Sequence, residues 1–159
     1  MRYAFLSRPT STNQSGDLRR HDRHTSTHRI FQRTTTAKLM IDTLFRYRDQ
    51  SRFALHAFVV MPDHLHPLLT PSSDQPIERC VQLIKGGFSF AIRNDFKGDV
   101  WQDGYHAHRL TDASDYQSQF RYIANNPTRK NCPDYPHVHT AYENRLNTIP
   151  AHLKIEPCS

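Results

Sequence analysis

The sequence predicts an α+β domain built on an antiparallel sheet. Three observations carry this. Apolar runs of strand length are separated by turn residues, and longer segments repeat apolar residues at helical spacing. Two of the strands are joined only by the Met61-Pro62-Asp63 turn, too short for a parallel crossover. At 159 residues the chain has the length of one domain and can bury a core between two packed layers.

Tyr3-Ala4-Phe5-Leu6-Ser7 is the expected first strand. Residues 9–29 follow, rich in Ser, Thr, Arg and His with no apolar period, and read as a mobile loop. Over 35–49, Leu39, Met40, Ile41, Leu44 and Phe45 fit a helix with basic residues on its outer side. Residues 53–61 are apolar at both alternating positions, as in a strand covered on two sides, and 64–69 returns beside it. Over 77–96, apolar positions 77, 80, 81, 84, 88, 91 and 92 make one helical stripe. Gly86-Gly87 interrupts that stripe at about 1 kcal/mol per glycine relative to alanine. A close approach by another element or by nucleic acid is therefore expected there. Residues 104–110 read as a short strand. Asp112 or Ser114 then caps a last helix with Tyr116, Phe120 and Ile123 on its apolar side, ended by Pro127. Residues 128–159 hold four of the ten prolines, so they are expected to form a tail packed on the domain of 1–127. The order strand, helix, strand, strand, helix, strand, helix is that of a ferredoxin-like layout: an antiparallel sheet with helices on one face and an added C-terminal helix.

Lys and Arg total 21 against 15 Asp and Glu, a formal charge of +6, and the pI is near 9.5. That balance favours a polyanionic partner, because neutralising phosphates releases counterions; a solvated basic surface accounts for it equally. Cys80, Cys132 and Cys158 are odd in number and form no C-x-x-C, so a reduced, cytoplasmic chain is expected. No apolar run has the length of a membrane span and no signal-peptide core is visible, so neither membrane insertion nor secretion is expected.

The chemistry concentrates in His64-Leu65-His66. Alternate residues of a strand share a face, so the two imidazoles point together while Leu65 points into the core. Imidazoles so paired can bind one divalent cation, or be ordinary polar-face histidines. With 11 histidines about one H-x-H is expected by chance, and this chain has three, counting His106-Ala107-His108 and His137-Val138-His139. Only the first lies in a strongly apolar strand pair, the rigid platform a site needs. On the last helix, at 100° per residue, Tyr122 falls away from the apolar stripe and Asn126 falls on its side. A phenol and an amide near two imidazoles would make a metal-assisted site in which tyrosine attacks a phosphate; an amphipathic surface tyrosine is the alternative.

The run from Phe58 to Pro71, then Ile84-Lys85-Gly86-Gly87, then Val100-Trp101-Gln102-Asp103-Gly104-Tyr105, then Tyr122-Ile123 and Asn126-Pro127-Thr128-Arg129, resembles the single-tyrosine HUH transposases. It is most similar to their REP-associated tyrosine transposase branch, with four motifs in order between about Tyr3 and Arg129. The resemblance implies a single-stranded DNA transesterase that binds palindromic hairpins, cuts near the foot of the stem through a 5′-phosphotyrosine link, and rejoins strands. It implies that His64, His66 and Asn126 hold Mg²⁺ or Mn²⁺, and that Tyr122 is the nucleophile. Two imidazoles and an amide suit Mn²⁺ by ligand type, whereas abundance favours Mg²⁺. The expected partner is single-stranded DNA carrying a hairpin, met by a monomer or a homodimer.

Other positions carry two readings. Lys85 touches a phosphate or is solvated; Trp101 and Tyr105 stack on an unpaired base or pack; Arg129 lies in the last motif and is a candidate DNA contact. Arg19, Arg20, Arg23 and Arg29, with His21, His24 and His28, make the loop of 10–29 basic, to grip DNA or to be solvated. The chain departs from the family pattern at Pro67, where an apolar residue usually follows the second histidine. Proline disturbs a central strand, so a local edge or a bulge is expected. Three other functions compete. A hairpin-binding protein without cleavage fits the same motifs, a replication initiator shares the cation site, and a metal hydrolase explains the histidines but not Tyr122.

Overall fold

In a computed structural model the described residues are 4–7, 29–73, 75–101, 105–110, 112–132 and 135–148. The expected basic loop of 10–29, apart from Arg29, lies outside them, as do Gln102-Asp103-Gly104 and the end of the tail. The chain runs β1 (Ala4–Ser7), α1 (Thr34–Asp49), β2 (Phe53–Met61), β3 (His64–Pro71), α2 (Ile77–Ile92), β4 (His106–Arg109) and α3 (Ala113–Arg129). The strands form one antiparallel sheet in the order β2-β3-β1-β4, the ferredoxin-like arrangement expected from the order of elements.

Two cores lie on opposite faces of this sheet. Leu55, Phe58, Val60, Leu65 and Leu69 pack with Met40, Leu44, Phe45, Ile84 and Phe88 of α1 and α2. Ala57, Val59, Met61 and Leu68 pack with Tyr116 and Ile123 of α3. This is why β2 is apolar at every position but His56: it is buried on both sides. Alternation along β2 is broken by a bulge between Leu55 and Ala57. Phe53 and Leu55 face α1 before the bulge, whereas Phe58 and Val60 do so after it. The odd positions beyond it turn to α3.

At Gly87 the backbone of α2 lies close against Tyr47 of α1. A Cβ there would lie 2.6 Å from Cε2 of Tyr47. The close approach expected at the glycine pair is thus helix on helix at Gly87, while Gly86 faces open space. Asp112 caps α3, its Oδ1 accepting from the Asp115 N–H at 2.9 Å. Pro127 does not end the helix, contrary to expectation. It lies inside α3, which continues to Arg129. The end is made by three-residue hydrogen bonds, Lys130 N–H to Pro127 O and Asn131 N–H to Thr128 O, with Asn131 at φ 59°. The proline removes one backbone donor from the last turn without ending the helix.

Pro67 sits just before pairing to β1 starts. Its partner on β2 is Phe58, and the ladder to β1 begins only one residue later, at Phe5↔Leu68. β3 is central by order, yet among the described residues its first half has no neighbour on the β1 side. There a proline has no ladder bond to break.

The outer edge of β2 is covered by residues 135–148. Val138 bridges Val59, and the Val60 N–H donates to His137 O at 2.9 Å. Tyr135 donates its hydroxyl to Val60 O at 2.7 Å, and Leu55 exchanges bonds with Asn147 in both directions. The strap therefore uses the backbone groups that an edge strand would otherwise present to other chains.

Burial pushes the pKa of His56 and His139 down from 6.5, outweighing backbone hydrogen bonds that act the other way. Below about pH 6.5 the unfolded chain binds protons at these residues that the folded chain refuses. Their contribution to stability is therefore full above about pH 6.5 and is lost as pH falls through the lower folded values. Thermal melts should show a midpoint that is level above about pH 7 and declines from 6.5 towards 5. A midpoint that rises over that interval contradicts the assignment.

Candidate active site

The geometry of the site follows from strand register. Met61 pairs with His64 and Val59 with His66, and cross-strand partners share a face. Met61 and Val59 belong to the α3 core, so both imidazoles face α3. Their ring centroids are 4.6 Å apart. His66 is 5 % exposed, and its ring lies 5.8 Å from that of Tyr122 at 83°. Tyr122 itself is 36 % exposed, so the phenol meets the His66 ring and also solvent. The Arg129 guanidinium carbon lies 5.3 Å from the same ring, two turns further along α3.

The turn before β3 contributes a residue that motif reading passed over. Pro62 O accepts from the Phe31 N–H at 2.9 Å, which pins the turn to the α1 side of the molecule. Asp63 Oδ1 lies 2.6 Å from His64 Nδ1. A carboxylate there accepts the Nδ1 proton and leaves the Nε2 lone pair free to bind a cation. The signal was present in Pro62-Asp63-His64, an acid adjacent to a candidate ligand.

Among the described residues no group of three or more His, Cys, Asp or Glu is placed to hold a metal. A third protein donor beside the imidazoles, were one drawn from the residues expected from the sequence, would be the amide of Asn126. Asn126 is suited to this. It is 4 % exposed, and its Oδ1 is buried without a hydrogen-bond partner among the described residues. An orphaned amide oxygen costs about 1–3 kcal/mol, which coordination to a cation would recover. Asn126 does not share the exposure of Tyr122, as the helical projection suggested. It is turned inward with Ile123 and Pro127.

The other expected DNA contacts are not brought to this site. Trp101 donates its indole N–H to Lys85 O and Ser89 Oγ, both at 3.0 Å, and its ring packs on Phe88 and Phe31. The Lys85 ammonium lies 5.6 Å from that ring. The Tyr105 pKa is raised, by burial first and then by the charge and hydrogen bond of Glu78. Trp101 and Tyr105 pack against the α1/α2 core rather than the α3 core. Trp101 also borders a groove of about 510 Å³ at the end of α2, with Arg93, Lys97 and Asp99. Side chains of the second H-x-H pair, at 106 and 108, lie outside the described residues. The third pair, His137 and His139, belongs to the strap, and both side chains are buried.

The family model for IS200-like transposases matches residues 23–126, well over half of the chain and including both imidazoles, Tyr122 and Asn126. The chain belongs to this family. Among curated proteins it is similar to the REP-associated tyrosine transposase of Escherichia coli K12, at 26 % identity over 110 residues. That match covers 65 % of this chain and spans 64 % of the relative's length. Among solved structures it is similar to a REP-associated tyrosine transposase bound to a REP hairpin, with a TM-score of 0.62. The alignment covers 98 % of this chain and 84 % of that one at 19 % identity, a likeness of fold. Both agree with the resemblance carried by the four sequence motifs. Among the described residues of this IS200-like chain, no helix is long and apolar enough to cross a membrane.

Removing the carboxylate tests the site without DNA. Asp63→Ala should lower Mn²⁺ affinity, followed by titration calorimetry, by about 10–100-fold while leaving the melting midpoint nearly unchanged. Unaltered affinity would exclude Asp63 as the group that orients His64.

Proposed function

We propose that this chain is a metal-dependent single-stranded DNA transesterase of the transposition type, which binds hairpin DNA, cleaves it through a tyrosine link and rejoins strands. The observation that carries this reading is the Tyr122 ring at 5.8 Å from His66, on the sheet face that also presents His64. An ordinary metal hydrolase has no use for a phenol at that place. The family supports DNA as the substrate, and the relative solved with a REP hairpin supports the hairpin form. The net charge of +6 suits such a polyanion.

His64, His66 and Asn126 are the residues that would hold Mg²⁺ or Mn²⁺, which when bound supplies Lewis acidity at a phosphate oxygen. The tyrosine's part is nucleophilic. Tyr122 Oη bonds to phosphorus as the bond to the 3′-oxygen breaks, leaving a 5′-phosphotyrosine and a free 3′-hydroxyl. The phenolic proton passes to solvent, and the departing 3′-oxygen takes one up. The phosphodiester energy is kept in the phosphotyrosine, so attack by another 3′-hydroxyl reverses the step and joins strands. Arg129 places a cation beside the phenol ring and the incoming backbone. Asp63 holds His64 in one tautomer. Lys85, Trp101 and the groove beside it offer a contact for the rest of the DNA, away from the reacting phosphate.

A labelled single-stranded hairpin oligonucleotide, incubated with the protein and Mn²⁺ or Mg²⁺, should yield a protein–DNA adduct that survives denaturation. Tyr122→Phe should abolish the adduct and retain hairpin binding. An adduct formed by Tyr122→Phe would refute the nucleophile. Hairpin binding with no adduct from the unaltered protein would replace this reading with the binding-only one.

A further inference from the structure

We infer that residues 135–148 are a clamp that sets the position of α3, and with it Tyr122, and that His139 is the positioning residue of this clamp. The inference rests on the reading of Tyr122 as nucleophile.

The two helical layers are held differently. α1 packs on α2 and on β2, and α2 shares the core of that face, whereas α3 rests on β2 and β3. Its buried contacts run through Tyr116, Ile123 and the partly buried Phe120. Beside it, at the edge of the sheet, lies the strap. Val138 enters the same core as Tyr116 and Ile123. His139 follows at 1 % exposure, its ring 4.6 Å from Phe120 and its Nδ1 3.3 Å from Phe58 O. One imidazole thus ties the β2 backbone to the tyrosine's helix. His56 does the converse from β2: its ring lies 6.0 Å from Tyr116, and its Nδ1 lies 3.3 Å from Asn147 O at the far end of the strap. Both aromatic residues on the first half of α3 are braced by a histidine bonded across the edge.

The brace reaches the site by two short routes. Phe120 precedes Tyr122 by two residues, about 3 Å along a helix axis. Val59 pairs with His66 on one side and with Val138 on the other. A shift of the strap therefore moves the phenol and the imidazole strand relative to each other. His139 Nε2 is buried with no hydrogen-bond partner among the described residues, and burial pushes the ring's pKa down. For packing alone a leucine would serve without this cost. What the imidazole adds is direction, through its Nδ1–H to Phe58 O. A misplacement of about 1 Å between reacting groups can cost about 100-fold in rate.

The test compares His139→Ala, His139→Asn and the unaltered protein. Asparagine keeps an N–H where Nδ1 stands. In His139→Ala the initial rate of adduct formation should fall about tenfold or more with hairpin affinity unchanged. Amide hydrogen exchange, measured without DNA, should quicken in α3 and stay unchanged in α1 and α2. His139→Asn should recover both properties. Unchanged exchange in α3, or a rate that falls only in proportion to hairpin affinity, overturns the clamp. If His139→Ala does not fold, Tyr135→Phe removes only the bond to Val60 O and should give a smaller shift in the same two readouts; no shift overturns the inference. If the unaltered protein forms no adduct, the proposed activity fails, while exchange in α3 still decides whether the clamp exists.

Discussion

In an antiparallel hairpin, residues that face each other across the ladder lie on the same side of the sheet, and a slip of one position reverses every side chain. The account depends on that constraint at Val59↔His66 and Met61↔His64. The bulge at His56 and the two-residue Pro62-Asp63 turn together decide that the imidazoles meet α3 rather than the α1/α2 core. With the opposite parity His64 and His66 would lie among Phe45 and Phe88, and Leu65 would face the tyrosine. Each local choice has a visible cause. The turn is pinned by Phe31, the bulge carries the bonded ring of His56, and Pro67 falls just before the β1 ladder begins.

The same register makes the site a meeting of rigid and less rigid parts. The strand of the two imidazoles is central in the sheet and buried on both faces, whereas the tyrosine's helix is a single layer laid over it. Rigid elements hold reacting groups more precisely than loops do. Here the imidazoles come from a strand, the phenol and amide from one helix, and the carboxylate that orients His64 from the turn between strands. The sheet's outer edge, which in an open sheet invites pairing with another chain, is filled by the strap that braces this helix.

Much of this was legible in the sequence, because periodicity reports burial. The apolar stripes of α1 and α2, the doubly buried β2, the Asp112 cap and the paired outlook of His64 and His66 follow from spacing of 3.6 and of 2. Which helices the histidines face was not legible, since the bulge at His56 shifts alternation by one and leaves no periodic mark. Pro127 was read as a stop, although a proline in the last turn removes a donor without ending the helix. Asn126 was projected beside Tyr122 on an ideal helix but lies turned inward, with the buried residues of the last turn. A tail packed on the domain is expected from the prolines of 128–159, but the edge it covers is not legible, because its anchors are single contacts, one tyrosine hydroxyl, one asparagine and one imidazole, without repeat. Lys85 and Trp101 each carry a DNA-contact reading and a structural one in the sequence; the fold joins them through one indole hydrogen bond to the α2 backbone.

The most direct test is a crystal of the protein soaked in Mn²⁺ and measured for anomalous scattering. The account predicts one peak bonded to His64, His66 and Asn126 together, on the α3 face of the sheet beside the Tyr122 hydroxyl. A peak bonded elsewhere, or none at that face while His64 and His66 keep their register with Met61 and Val59, would contradict it.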